Sequence, residues 1–283
     1  MKITVGLGQI YPKLGDLQAN LDKHLAYVED ASTQGIDLLI FPEMSLTGYQ
    51  VMDLVPEVAI EAHDGDPIYA QLLKASEKLD LVFGFVQRDK RNRFYIAQAY
   101  LSEGKTVHIH HKVYLPTYTM FDDGRYFDAG NHIRAFDTRF GRMGMLICED
   151  FWHMSAAYLL WQDGADVLIL TSCSPSRGIE AHNDGSMTST GWVEKVNQSY
   201  GSMFTNYVVH CNRVGYEDGK NFWGGSSVVD PNGDFLTHGH YFEEALITQQ
   251  IDLNQIRRTR SRLPLLRDEQ PHLVLREMNR ILG

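Results

Sequence analysis

A chain of 283 residues with 43% hydrophobic content is long enough to bury a large core, and this size is compatible with one α/β domain. The formal net charge of −10 argues against a nucleic-acid binder, which would show a basic face. No apolar run approaches the roughly 18 residues of a membrane span, and the start, Met1 to Ile10, has a strand pattern instead of a signal peptide. Three cysteines without a secretory leader oppose a disulfide framework and fit a reducing cytosol, so a cytoplasmic protein is expected.

Strands and helices alternate along the chain. After the first strand, 15–35 carries Leu17, Leu21, Leu25 and Val28 at helical spacing. Residues 37–41 form the next strand and 67–79 a helix. Segments 80–87, 95–102 and 106–111 read as strands, the last two joined by a Glu103-Gly104 turn. A short buried strand over 145–147, a helix over 154–163 and strands over 166–170, 206–212 and 226–229 follow. Residues 172–190, rich in Ser, Gly, Asn and Asp, read as a long loop able to shape access to a site. The tail from Asp252 is basic (Arg257, Arg258, Arg260, Arg262) and then helical over 273–281. Such alternation predicts helices layered outside sheets.

Three reactive side chains each stand where an apolar run ends: Glu43 after Leu38 to Phe41, Lys112 after the 106–111 strand, and Cys148 after Met145 to Ile147. Ligands of open α/β sheets sit beyond the carboxyl ends of the strands. A thiol attacks as the thiolate, so it needs a base to take its proton or a cation to favour its anion. Glu43 and Lys112 are one of each. Any of the three alone is more simply explained as a loop carboxylate, a surface lysine or a buried cysteine; the ordered set reverses that weighting. Cys173 and Cys211 keep the structural reading. His108, His110 and His111 have no Cys or carboxylate at metal-ligand spacing, so they are assigned to strand packing and no metal is expected.

The flanks carry a resemblance. Phe41-Pro42-Glu43-Met44-Ser45-Leu46-Thr47-Gly48-Tyr49 resembles the glutamate motif of the nitrilase (carbon–nitrogen hydrolase) superfamily. His111 to Pro116 with Asp128-Ala129-Gly130 resembles its lysine motif, and Leu146-Ile147-Cys148-Glu149-Asp150 its cysteine motif. Trp223 to Gly233 resembles its late strand-turn signature. The likeness covers nearly the whole chain and is nearest to the glutaminase domain of glutamine-dependent NAD synthetase, through Tyr114 to Phe127 and Cys148 to Trp152. It implies a four-layer α-β-β-α sandwich over residues 1–283, and a tail (about 252–283) that crosses to a partner subunit in a homo-oligomer. It implies a Glu43–Lys112–Cys148 triad working without a cofactor on a small-molecule amide, and no nucleic-acid or membrane partner. Tyr118, Asp123, Glu149, Trp152, Ser174 and Arg177 are implied at the substrate.

Two departures qualify the substrate. The relatives carry Asp-Glu where this chain has Asp122-Asp123, leaving the second carboxylate one methylene short. They also follow their Ser-Pro with a longer segment bearing a basic residue after a glycine; here Ser174-Pro175-Ser176-Arg177-Gly178 continues with Ile179-Glu180. Arg177 is either its replacement or a surface arginine. With no ATP-using half and no Walker-type loop in these residues, the resemblance implies a stand-alone amidase. A nitrilase, a glutaminase subunit serving a separate synthetase, and a non-catalytic scaffold are the alternatives.

Overall fold

Apolar residues alternate faces along most of the strands, so each sheet has two buried sides and must be covered on both. The computed structural model describes residues 1–176 and 188–283. Two six-stranded sheets pack face to face with helices outside, giving the four-layer α-β-β-α sandwich.

The chain runs β1 (Lys2–Gln9), α1 (Leu17–Thr33), β2 (Leu38–Ile40), α2 (Val55–Val58), α3 (Pro67–Ala75), β3 (Asp80–Arg88), β4 (Phe94–Ser102), β5 (Lys105–His111) and α4 (Asp123–Tyr126). It continues through β6 (Phe136–Thr138), β7 (Gly141–Ile147), α5 (Met154–Gln162), β8 (Val167–Ser172), α6 (Thr188–Phe204), β9 (Tyr207–Asn212), β10 (Val214–Glu217), β11 (Lys220–Trp223), β12 (Ser227–Val229), β13 (Phe235–His238) and β14 (Ala245–Asp252). The helices α7 (Asn254–Arg262), α8 (Leu265–Asp268) and α9 (Pro271–Leu282) close it. The first sheet has the order β14-β1-β2-β3-β4-β5 and the second β13-β12-β9-β8-β7-β6. Central pairs are parallel (β1-β2, β2-β3; β7-β8, β8-β9), so the carboxyl ends of the central strands in each sheet share one edge.

Between the sheets lie Val5, Leu7, Ile40, Val82, Met145, Ile169 and Val209. The opposite face of the first sheet presents Leu81, Phe83 and Phe85 to Leu21 and Val28 of α1 and Tyr69 and Leu72 of α3. Leu146, Leu168 and Leu170 meet Leu160 and Trp161 of α5 and Tyr200 and Phe204 of α6. Side-chain caps begin α1 and α3: the Ala19 amide donates to Asp16 at 3.1 Å, and the Ile68 and Tyr69 amides to Asp66 at 3.0 Å each.

Several expectations are corrected. The helix from Pro67 ends at Ala75, and the strand before Cys148 starts at Gly141, well ahead of Met145. Of the segment read as a loop, Ser172 belongs to β8 and Thr188 opens a 17-residue helix, α6. Strand β14 pairs along the whole of β1. In the basic tail, the Arg260 guanidinium donates to Asp166 and Asn206 at 2.6 Å each, tying α7 to the second sheet.

Candidate active site

Glu43, Lys112 and Cys148 follow the ends of β2, β5 and β7. The turn that carries Glu43 lies directly on β3. The Leu46 amide donates to the Gly84 carbonyl at 3.0 Å, and the Gly84 amide to Ser45 Oγ at 3.1 Å. This approach needs glycine: a Cβ on Gly84 would sit 2.3 Å from the Met44 nitrogen and 2.6 Å from the Pro42 oxygen. Gln98 of β4 donates to the Phe41 carbonyl at 3.1 Å and accepts from Thr171 of β8 at 3.1 Å, linking the sheets beneath the turn.

Lys112 is wholly buried, and its ammonium donates to Glu43 Oε1 and Asp123 Oδ2, both at 2.7 Å. Burial opposes the charge, but Asp123 and Glu43 outweigh it and push the lysine well above its ordinary value. It is an ammonium in the resting site. Burial pushes the Glu43 carboxyl up, the Lys112 charge opposes that, and Asp123 adds to it. The other oxygen of Glu43 accepts the Cys173 amide at 2.7 Å, which fixes the carboxylate plane. The missing methylene of Asp123 is made good by position: it opens α4, its amide bonding the Pro116 carbonyl at 3.1 Å, and its carboxylate reaches Lys112 directly. The second oxygen of Asp123 accepts the Tyr49 hydroxyl at 2.6 Å.

Cys148 occupies the left-handed region at φ 46°, a strained conformation for a non-glycine residue. Burial and the Glu43 charge raise its thiol well above the usual range, against the opposing pull of Lys112. Asp150 secures the turn. It accepts the Ile147 amide at 3.1 Å and the Val113 and Tyr114 amides at 2.9 Å each, and bonds His110 Nε2 at 2.8 Å. One carboxylate thus joins the end of β7 to the end of β5. His111 stacks on Tyr95 and bonds Gln87, and His108 stacks on Phe136.

A cavity of about 350 Å³ opens onto Cys148. Tyr118, Trp152, Glu149 and Ser174 line it, as does the start of α6 through Trp192 and Val193, with Phe121 completing an aromatic wall. The Tyr118 hydroxyl donates to Glu149 at 2.8 Å. Asp123 does not line this cavity; it borders a smaller one with Tyr49, Gln50 and Lys220. Arg177 lies outside the described residues. Sequence reasoning missed the Tyr49 hydroxyl, the Cys173 amide, Phe121 and Trp192. Tyr49 was visible in the glutamate motif, but the cysteine acts here through its main chain, and Trp192 lies just past the 172–190 segment read as a loop, in a helix for which no expectation was drawn. Among the described residues no three His, Cys, Asp or Glu side chains gather as a metal site.

Comparison with known proteins gives the family. The carbon–nitrogen hydrolase family model matches residues 4–261. The glutamine-dependent NAD(+) synthetase of Thermotoga maritima is 30% identical over 260 residues, covering 90% of this chain and 43% of that protein. The chain therefore spans less than half the length of that relative. A probable nitrilase of Schizosaccharomyces pombe is 27% identical over 289 residues, with 98% of each chain covered. The crystal structure of Nit3 from Saccharomyces cerevisiae, described as a member of branch 10 of the nitrilase superfamily, superimposes with a TM-score of 0.83 at 24% identity over 95% of this chain and 96% of that one. The chain belongs to the carbon–nitrogen hydrolase family, the nitrilase superfamily.

Proposed function

We propose that this protein hydrolyses the C–N bond of a small amide, giving a carboxylic acid and ammonia through a thioester on Cys148. The observation that carries the reading is the immobilised ammonium of Lys112, clamped between Glu43 and Asp123 behind a cysteine that opens onto a cavity.

Because the thiol is held up, Cys148 rests protonated, and attack needs a base at the moment of bond formation. Glu43 accepts the thiol proton as sulfur adds to the carbonyl carbon. The oxygen gains negative charge and is stabilised by the Lys112 ammonium and the backbone N–H of Glu149. Loss of one such donor typically costs ~10²–10³ in rate. Collapse expels ammonia, protonated by Glu43, and leaves the thioester. Water, deprotonated by the same carboxylate, attacks the thioester; the acid leaves and the thiol is restored. The balance is amide plus water to acid plus ammonia, with no cofactor.

Three free, buried cysteines suit a reducing compartment and support a cytosolic location. Among the described residues no helix is long and apolar enough to cross a membrane. The likeness to glutamine-dependent synthetases favours glutamine as a second reading of the substrate.

The test is ammonia release from glutamine, ω-amides of keto acids, short aliphatic amides and nitriles, with Cys148→Ala in parallel. Release from an amide class, abolished in the variant, is the expected result. Release from nitriles alone would replace amidase by nitrilase, and release that survives Cys148→Ala would remove the triad. Silence on every compound, with Cys148 no faster to alkylate than Cys173 or Cys211, would sink the enzyme reading. On the acid side, activity requires ionised Glu43. Its raised value predicts a rate that falls as pH drops through a midpoint above 4.5, the ordinary glutamate value.

A further inference from the structure

Arg213 is fully buried, yet among the described residues only one of its guanidinium nitrogens finds a partner: Nη1 donates to Glu217 Oε2 at 2.7 Å, while Nε and Nη2 find none. A buried ion pair of this kind is weak evidence for stability, since desolvation offsets the attraction. What it does show is where the carboxylate is aimed. The other oxygen of Glu217 accepts two consecutive amides, Tyr49 at 2.8 Å and Gln50 at 2.7 Å. The preceding residue is built for this contact. Gly48 sits at φ 77°, and a Cβ there would come within 2.7 Å of Glu217 Oε2. A second path runs through rings, because the guanidinium lies 4.3 Å from the Phe222 centroid and Phe222 packs edge-on against Tyr49.

We propose that the buried Arg213–Glu217 pair is a positioning device that grips the Tyr49 loop and, through the Tyr49 hydroxyl and Asp123, holds the Lys112 ammonium in its working place. The chain of contacts is unbroken: Glu217 to the Tyr49 amide, the Tyr49 hydroxyl to Asp123, and Asp123 to Lys112. Tyr49 also places its ring 5.9 Å from the Lys112 nitrogen. Neither Arg213 nor Glu217 lines the cavity at Cys148, so neither touches a molecule bound there. The role of Lys112 in it rests on the amidase reading.

The experiment reads the relay without substrate. Of the charged groups acting most strongly on Cys148, Glu43, Asp123 and Glu149 are negative and Lys112 alone is positive. A displaced lysine therefore moves the pH profile of Cys148 alkylation by iodoacetamide in one direction, toward alkali. Glu217→Gln is expected to shift that profile upward by about one unit, a tenfold slowing at fixed pH. Tyr49→Phe should do the same. If the two act in series, the double variant is no worse than the more damaged single one. With an active amide, kcat should fall roughly tenfold while KM stays within about twofold, the pattern of a lost transition-state interaction. If Glu217→Gln folds poorly, Arg213→Lys keeps the charge and loses the guanidinium plane that faces Phe222, with the same shift expected. Lowered melting temperature with an unmoved alkylation profile would overturn the proposal, as would effects that simply add. Silence of the wild type on all amides with a shifted profile would retire the amidase reading and leave the relay standing.

Discussion

Complete burial of an ammonium is costly, and Lys112 is buried only because two carboxylates meet it at 2.7 Å each. Removing the charge leaves those carboxylates facing each other without compensation. Lys112→Met keeps the length and loses the cation, and should cost about 3–5 kcal/mol at neutral pH, the usual penalty for breaking a buried pair. The deficit has a pH signature. In the variant the buried Glu43, without the Lys112 charge that opposes the effect of burial, binds a proton more readily folded than unfolded, so stability is regained as pH falls. Urea denaturation of variant and wild type at neutral and mildly acid pH should therefore show the gap narrowing on acidification. A gap of constant size would mean that the carboxylates are not the source of the strain. Amide hydrolysis, where present, should drop by at least ~10²-fold.

At the scale of elements, the site is three strand ends pinned to their neighbours, and Gly84 is where the pinning is tightest. Gly84→Ala places a methyl against the main chain of the glutamate turn, where no flexible side chain can give way. A loss of about 1–3 kcal/mol is expected, typical of overpacking, with activity falling further than folding as Glu43 is displaced. Gly191 in α6 is the control, since among the described residues a Cβ there meets nothing within 4 Å. Gly191→Ala should stabilise by roughly 0.5–1 kcal/mol, the helical preference for Ala over Gly. Thermal melts of both variants decide it; equal destabilisation would contradict the packing argument. Glu43 and Cys148 were legible because β2 and β7 end in an abrupt change from apolar to polar residues; Lys112 follows the mixed β5 and was legible through its motif. Helix α6 was not. Its buried stripe includes Asn197 and Gly201 beside Val193, Tyr200 and Phe204, which blurs the apolar period, and it opens on Thr188-Ser189-Thr190-Gly191, a loop-like start. Strand β14 escaped for a related reason: it is an edge strand with much of its length partly exposed, so Gln249 and Gln250 weaken the alternation. The Arg213–Glu217 pair was unreadable because its work is done on backbone amides, which carry no residue signature.

For the whole molecule, the last helix poses the largest unsolved packing problem. Helix α9 buries none of its residues, yet Val274, Leu275, Met278, Ile281 and Leu282 fall at helical spacing along one side of it. Twelve residues are too few for an isolated helix to be stable in water, and a stripe of this kind needs cover. The body of the protein offers a counterpart: exposed Met154, Met203 and Leu265 border a cavity between α5, α6 and α8. A homo-oligomer in which apolar faces of this kind are buried between subunits is the expected state, in line with the tail's implied crossing to a partner. Acidic substitutions on the stripe separate this from a helix that merely lies free. Leu275→Glu combined with Ile281→Glu adds two charges to residues that touch no buried core, so the monomer fold should keep its melting transition. If the stripe is an interface, burying those carboxylates is prohibitive and the assembly should fall to a smaller species by sedimentation velocity. If the wild type sediments as a monomer, or the variant as the same oligomer, the stripe is not what holds subunits together. Loss of the oligomer with the alkylation profile of Cys148 unchanged would further show that the catalytic relay is complete within one chain.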